Sequence, residues 1–179
     1  MTTGLPVLPA LRGLSRLADL RPCIVVDTRE QEPLSFANLP STRGALQTGD
    51  YSFLGGEELM AIERKSIADL VACCVGDNRD RFFRELHRMR GFKFKRLLVV
   101  GSRADIDAGR YRSGIKPSAV LATLAVIEAR FDVPVVFADD PEAAARLVES
   151  WAWWVAREVV ESANHLLRGC EADDIETQE

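Results

Sequence analysis

This chain of 179 residues has few of the residues that build zinc cages or disulfide frameworks. It carries four cysteines (Cys23, Cys73, Cys74 and Cys170), none in C-x-x-C spacing, and two isolated histidines. That scarcity argues against both kinds of site and makes a reducing cytoplasm the expected location, at the nucleoid in a bacterium or in the nucleus of a eukaryote. Cys73 and Cys74 are adjacent on an expected helix and read as small buried thiols. No apolar run approaches the roughly eighteen residues that a membrane span requires, so no membrane role is expected. Residues 1–22 lack a basic n-region and an unbroken apolar h-region, and read as a partly ordered arm rather than a signal peptide. Internal repeats and low-complexity segments are absent.

What is present is the composition of a soluble globular domain, 47% hydrophobic and 28% charged. The expected organisation is one domain over 23–167, followed by an acidic, disordered tail over 168–179. The net charge of −4 argues against nucleic acid only until its distribution is read. Residues 79–96 hold eight basic side chains against two acidic ones, while 171–179 holds five acids and no base. A phosphate partner responds to the local patch, not to the total, although a solvated helix face has the same composition.

CIVVD (23–27) reads as a buried strand ending on Asp27. A loop with Pro33 and Pro40 follows. Residues 50–65 read as two strands joined at Gly55-Gly56. Ser66 and Asp69 fit a capping box at the start of a helix whose apolar stripe is Ile67, Leu70, Val71 and Cys74. A second helix over about 79–91 places Phe82, Leu86 and Met89 on one face and arginines on the other. RLLVV (96–100) is a core strand, and 102–116 reads as a long polar loop. Pro117 suits the first position of a helix to about Arg130. VPVVF (133–137) is a strand, and Pro141 opens a last helix running past Val160. The alternation gives an α/β domain with a mixed central sheet.

A turn centred on Gly55-Gly56 sets Asp50 opposite Ala61. Asp50, Ala61, Glu63 and Lys65 then share one sheet face, while Tyr51, Met60, Ile62 and Arg64 share the other. An odd-numbered turn would move Asp50 to the opposite face. In the even register Asp50 and Glu63 are diagonal neighbours, with Cβ atoms roughly 7–8 Å apart. Two carboxylates at that separation can share a divalent cation, with Lys65 in reach to orient water or meet charge developing on phosphate. Hard oxygen donors with an open side suit Mg²⁺ or Mn²⁺. The competing reading is an exposed ion-pair cluster worth little.

Further residues match in order. Gly49-Asp50, Glu63-Arg64-Lys65 and Asp69 resemble the G-D-xₙ-E-R-K-x₃-D signature of the XPF-type structure-selective endonucleases. Val26-Asp27-Thr28-Arg29-Glu30 resembles the V-x-D-x-R-E strand end of that family. The resemblance covers about Cys23 to Glu161. It implies a restriction-endonuclease-like (PD-(D/E)XK) core and a metal-dependent endonuclease acting on branched, flapped or forked DNA in repair, recombination or replication-fork processing. Asp27, Asp50 and Glu63 would be the metal ligands for Mg²⁺ or Mn²⁺, and Lys65 would position the attacking water. Arg64 would support the site or contact phosphate, and Glu30 would be an accessory acid. Arg29, Arg64, Arg79, Arg81 and Arg112 are the candidate DNA contacts, with 102–116 either a DNA-contacting lid or an ordinary surface loop. Asp69 matches the last signature position, although capping with Ser66 explains it more simply.

Family members commonly carry tandem helix-hairpin-helix motifs after the nuclease domain, and about 18 residues follow Glu161 here. Substrate selection is therefore expected from the nuclease domain, a dimer or a separate partner. On the last helix, Leu147, Trp151, Trp154 and Val155 follow the spacing of one apolar face, and Trp153 falls off it. In the family the domains pair through such helices, which would give Trp153 a partner in a homodimer or heterodimer. The alternative to an enzyme is a non-catalytic DNA-binding or scaffold subunit of the same fold that partners an active nuclease.

Overall fold

A computed structural model describes Pro9 and residues 21–176, with side chains as far as residue 169. Most of the expected N-terminal arm and the last three residues of the expected tail lie outside the described residues. Strands β1 (Ile24–Asp27), β2 (Ser41–Gly44), β3 (Tyr51–Phe53), β4 (Met60–Ser66), β5 (Phe94–Val100) and β6 (Val135–Ala138) form one sheet in the order β2-β1-β3-β4-β5-β6. The β1–β2, β4–β5 and β5–β6 pairs are parallel, while β1–β3 and β3–β4 are antiparallel. The helices are α1 (Ile67–Ala72), α2 (Gly76–Met89), α3 (Arg103–Asp107), α4 (Pro117–Phe131) and α5 (Pro141–Glu176). The mixed α/β class expected from the sequence is the one observed. Among the described residues no helix is long and apolar enough to cross a membrane.

The sheet divides the core into two layers. Ile24, Val26, Tyr51, Phe53, Met60, Ile62 and Leu98 pack on α5, where Ala144, Val148, Ala152 and Ala156 recur every fourth residue. That small-residue row lets the helix lie close on the strands. Ala61, Leu97 and Val99 face the other way, onto Leu70 of α1, Phe82 and Leu86 of α2, and Leu124 and Ile127 of α4. The period-two alternation along β4 therefore assigns each side chain to one layer.

Several expectations need correction. The hairpin register is shifted by two: Tyr51, which the expected turn sets opposite Met60, opposes Ile62. The connection spans 54–59 and folds over the Phe53 ring, where a Cβ on Gly56 would come within 2.1 Å of it. An even shift leaves every side chain on its expected face. Strand β2 was expected as loop, since its STRG sequence is largely exposed and has no apolar alternation. The expected 102–116 loop contains α3, capped by Ser102, whose hydroxyl accepts from the Ala104 amide, and anchored by buried Ile106. On α5 the two tryptophans exchange roles: Trp153 is 3% exposed and Trp154 51%. The alanine row faces the sheet, which brings Trp153 inward and turns Trp154 out. Helix α5 also continues to Glu176, where a disordered tail from 168 was expected. Ser66 does cap α1, its hydroxyl accepting from the Asp69 amide at 3.1 Å and donating to Asp69 Oδ2 at 2.7 Å. Cys23, Cys73 and Cys74 are free thiols, with Cys74 buried and Cys73 half-buried.

Candidate active site

Three neighbouring strands bring the carboxylates together. Asp27 ends β1, Asp50 immediately precedes β3, and Glu63 lies within β4. The Asp27 amide donates to the Asp50 carbonyl at 2.8 Å, and the Asp50 amide donates to the Ile62 carbonyl at 2.7 Å. Gly49 makes this approach possible. Its φ is +81°, and a Cβ there would sit 2.9 Å from the Ile62 carbonyl oxygen. The Gly-Asp pair thus has a local cause: only glycine takes the left-handed turn against the backbone of β4 without strain.

Asp50, half-buried, and Glu63, buried, form a pair of like charge. Burial comes first, and the Glu63 carboxylate adds to it, so the Asp50 carboxyl is pushed up to about 7. Burial likewise raises Glu63, against the opposing attraction of Lys65. Lys65 Nζ donates to Glu63 Oε1. Burial alone would lower the Lys65 ammonium, but Glu63 and Asp50 outweigh it and hold it charged. The ammonium also lies 5.5 Å from the centre of the Phe82 ring, on the α2 side of the sheet. Asp50 Oδ2 accepts the Arg64 amide at 2.7 Å. Asp50 Oδ1 and Glu63 Oε2 accept no hydrogen bond among the described residues, and neither is sealed from solvent. The expected exposed ion-pair cluster is not what forms, since Glu63 is buried.

Asp27 is held differently. Its Oδ1 accepts from the Arg29 amide at 2.9 Å and from Arg29 Nε at 2.6 Å. Its Oδ2 accepts from the Leu46 amide at 2.7 Å and Arg29 Nη2 at 3.2 Å. Burial would raise its carboxyl, but these bonds outweigh burial and hold it below the usual carboxylate range. On the α5 side of the sheet, Arg64 grips Glu30 with two bonds, Nε to Oε2 at 3.0 Å and Nη2 to Oε1 at 3.1 Å. The Tyr51 hydroxyl donates to Glu30 Oε2 at 3.4 Å and accepts from the Leu34 amide at 3.0 Å.

A cleft of about 520 Å³ is lined by Asp50, Lys65, Arg29, Glu30 and Arg64 together with residues of α1 and α2, while Asp27 and Glu63 are not part of its lining. Of the candidate DNA contacts, Arg29, Arg64 and Arg81 line it. Arg79 instead lies over the Phe83 ring at 4.8 Å, and Arg112 is on the exposed stretch before α4, away from this lining. Asn78 and Glu85 also line the cleft and are not among the site residues expected from the sequence. Their signal was available: 78, 81, 82 and 85 share one helix face by spacing. Glu85 receives Arg81 Nε at 3.5 Å. Tyr51 and Leu46 were missed for a different reason, since each acts through a contact that only the fold creates.

Among the described residues no group of three or more His, Cys, Asp or Glu side chains is gathered as a ready metal cage. Mg²⁺ does not require one, because it is commonly held through one or two carboxylates with waters and substrate phosphate completing its shell. Asp50 Oδ1 and Glu63 Oε2 meet that description: hard oxygens, unpartnered, on two carboxyls whose mutual repulsion a cation would relieve. The residues present fit Mg²⁺ or Mn²⁺ at those two positions, with Asp27 engaged elsewhere.

Comparison with known proteins agrees with the fold. A family model described as the ERCC4 domain matches residues 26–150. The structure titled XPF from Aeropyrum pernix, complex with DNA, superimposes with a TM-score of 0.62 at 22% identity, over 77% of this chain and 66% of that one. A second structure of XPF from Aeropyrum pernix gives 0.58 at 21% identity, over 73% of this chain and 60% of that one. The chain thus spans less than two thirds of either. No curated protein matches it.

Proposed function

The chain belongs to the ERCC4 domain family, and from that premise we propose a DNA nuclease of the repair type, a metal-dependent endonuclease of branched, flapped or forked DNA. The observation that carries the proposal is the pair of open carboxylate oxygens on Asp50 and Glu63, beside the half-buried Lys65 ammonium, with Asp50 and Lys65 lining the cleft. Asp50 and Glu63 would hold Mg²⁺ or Mn²⁺. When bound, the ion supplies an acidified water and a Lewis acid at a phosphoryl oxygen. Lys65 holds a positive charge next to Glu63, where it orients water and meets charge building on the phosphate. Arg29 and Arg81 line the cleft with guanidinium donors suited to phosphate. Arg64 serves as support: its guanidinium is committed to Glu30 on the other sheet face. Pairing through the C-terminal helices belongs to the same proposal, supported by Trp154, Val159, Leu166 and Leu167, which are exposed along α5.

A non-catalytic DNA-binding subunit is the second reading, and the saturation of Asp27 by Arg29 and Leu46 favours it. One experiment separates the two: incubation of labelled flap, fork, four-way and plain duplex DNA with Mg²⁺ or Mn²⁺, wild type against Asp50→Asn. The nuclease reading expects metal-dependent cutting of the branched substrates, lost in Asp50→Asn while DNA binding persists. Binding without cutting in either metal would support the scaffold reading, and cutting that survives the substitution would place the site elsewhere.

A further inference from the structure

Arg29 presents an arrangement that the nuclease reading does not use. Its side chain is 70% exposed, yet it fastens onto a carboxylate that is 1% exposed. The guanidinium is attracted to Asp27 first, and to Asp50 and Glu63 as well. A positive charge thus already stands among the three acids, and both oxygens of Asp27 are filled. A third bond, Nη2 to the Leu46 carbonyl at 2.8 Å, completes the hold. This accounts for the absence of a three-carboxylate cage among the described residues.

We propose that Arg29 is a phosphate-responsive gate, which keeps Asp27 out of the metal's donor set in the free protein and releases it when a DNA phosphate takes the guanidinium. The inference rests on the nuclease reading above. A planar guanidinium binds phosphate as readily as carboxylate, through the same two-pronged geometry. Because the arm lies on the cleft surface, it reaches a phosphate by rotating its own side chain. Its departure leaves Asp27 with only the Arg29 and Leu46 amides as partners. The site then holds three carboxylates without the cation that had offset them, and its demand for a divalent ion rises. DNA and metal would bind cooperatively, each strengthening the other by the same factor. A free protein would hold its metal weakly and fill the site on the substrate. In this role Arg29 is a positioning residue, acting through Asp27.

The test is Mn²⁺ titration of the full chain at pH 8, followed by the paramagnetic resonance of free Mn²⁺. Wild type, Arg29→Gln, Asp27→Asn and the double variant are compared without DNA. Arg29→Gln should bind Mn²⁺ on the order of tenfold more tightly than wild type, and Asp27→Asn should remove that gain in the double variant. A phosphorothioate-linked fork should tighten Mn²⁺ binding in wild type by a similar factor and add little to Arg29→Gln. Equal or weaker Mn²⁺ binding by folded Arg29→Gln would overturn the proposal, as would a fork with no effect on wild type, which decides the matter if the variant misfolds. A purely structural Arg29 predicts those results, with lower stability and no gain in affinity. If wild type binds Mn²⁺, Asp50→Asn abolishes it and Arg29→Gln leaves it unchanged, only the gate fails. If wild type binds no Mn²⁺ even with DNA, the nuclease reading fails with it.

Discussion

Glu63 and Arg64 are adjacent in β4, yet they occupy opposite electrostatic situations. On the α5 side Arg64 meets Glu30 in a two-pronged ion pair, with side chains 13% and 7% exposed, and Tyr51 and the Glu32 amide satisfy the remaining acceptor capacity. Burial would raise Glu30, but Arg64 and the Glu32 amide outweigh it and hold its carboxyl low. On the α2 side Glu63 meets Asp50, a like charge, with one lysine between them and oxygens left open. One face is closed and compensated. The other is short of positive charge. The difference separates a supporting ion pair from the proposed metal site within three consecutive residues, and a strand's alternation is what keeps the two apart.

Breaking the compensated face should have the largest effect on stability. Arg64→Ala leaves Glu30 buried without its partner and should destabilise the domain by about 3–5 kcal/mol, read from denaturant midpoints at constant slope. The opposite face should respond with the opposite sign. In the metal-free protein, Asp50 keeps a proton that the unfolded chain releases above pH 3.8, so its contribution to stability is full below that value and lost as pH rises to about 7. Asp50→Asn keeps an acceptor for the Arg64 amide and removes the repulsion. It should stabilise the metal-free protein at pH 8 by about 1–3 kcal/mol, and flatten the wild-type decline between pH 4 and 7. The same substitution should abolish cutting. The end of β4, outside both ion pairs, gives the smallest effect: Ser66→Ala removes the α1 cap and should cost about 1 kcal/mol at every pH, with the difference between the faces unchanged.

Much of this contrast was legible in the sequence. The sharing of a face by Asp50, Glu63 and Lys65, and the placing of Arg64 opposite, follow from alternation alone and survive the two-residue error in register because the error is even. The cap at Ser66 and the start of α4 at Pro117 were equally local. What sequence did not supply is contact between distant segments. Strand β2 is held by pairing with β1 rather than by an apolar pattern, so nothing in STRG announces it. The saturation of Asp27 depends on the Leu46 amide, a backbone group 19 residues away that carries no compositional signal. The exchange of Trp153 and Trp154 turns on which α5 row meets the sheet. Ala144, Val148, Ala152 and Ala156 won over the bulkier row, since small side chains permit the closer approach.

The central claim is that the Asp50–Glu63 pair would be relieved by a divalent cation, whereas the Arg64–Glu30 pair is already compensated. Thermal unfolding at pH 8 tests it most directly, for wild type and Asp50→Asn, each with and without saturating Mg²⁺. The expected result is a crossing: Asp50→Asn melts higher than wild type without metal, and Mg²⁺ raises wild type alone, through binding to the folded state. Lower stability of Asp50→Asn in the absence of metal, or a wild type whose melting temperature ignores Mg²⁺, would contradict the account.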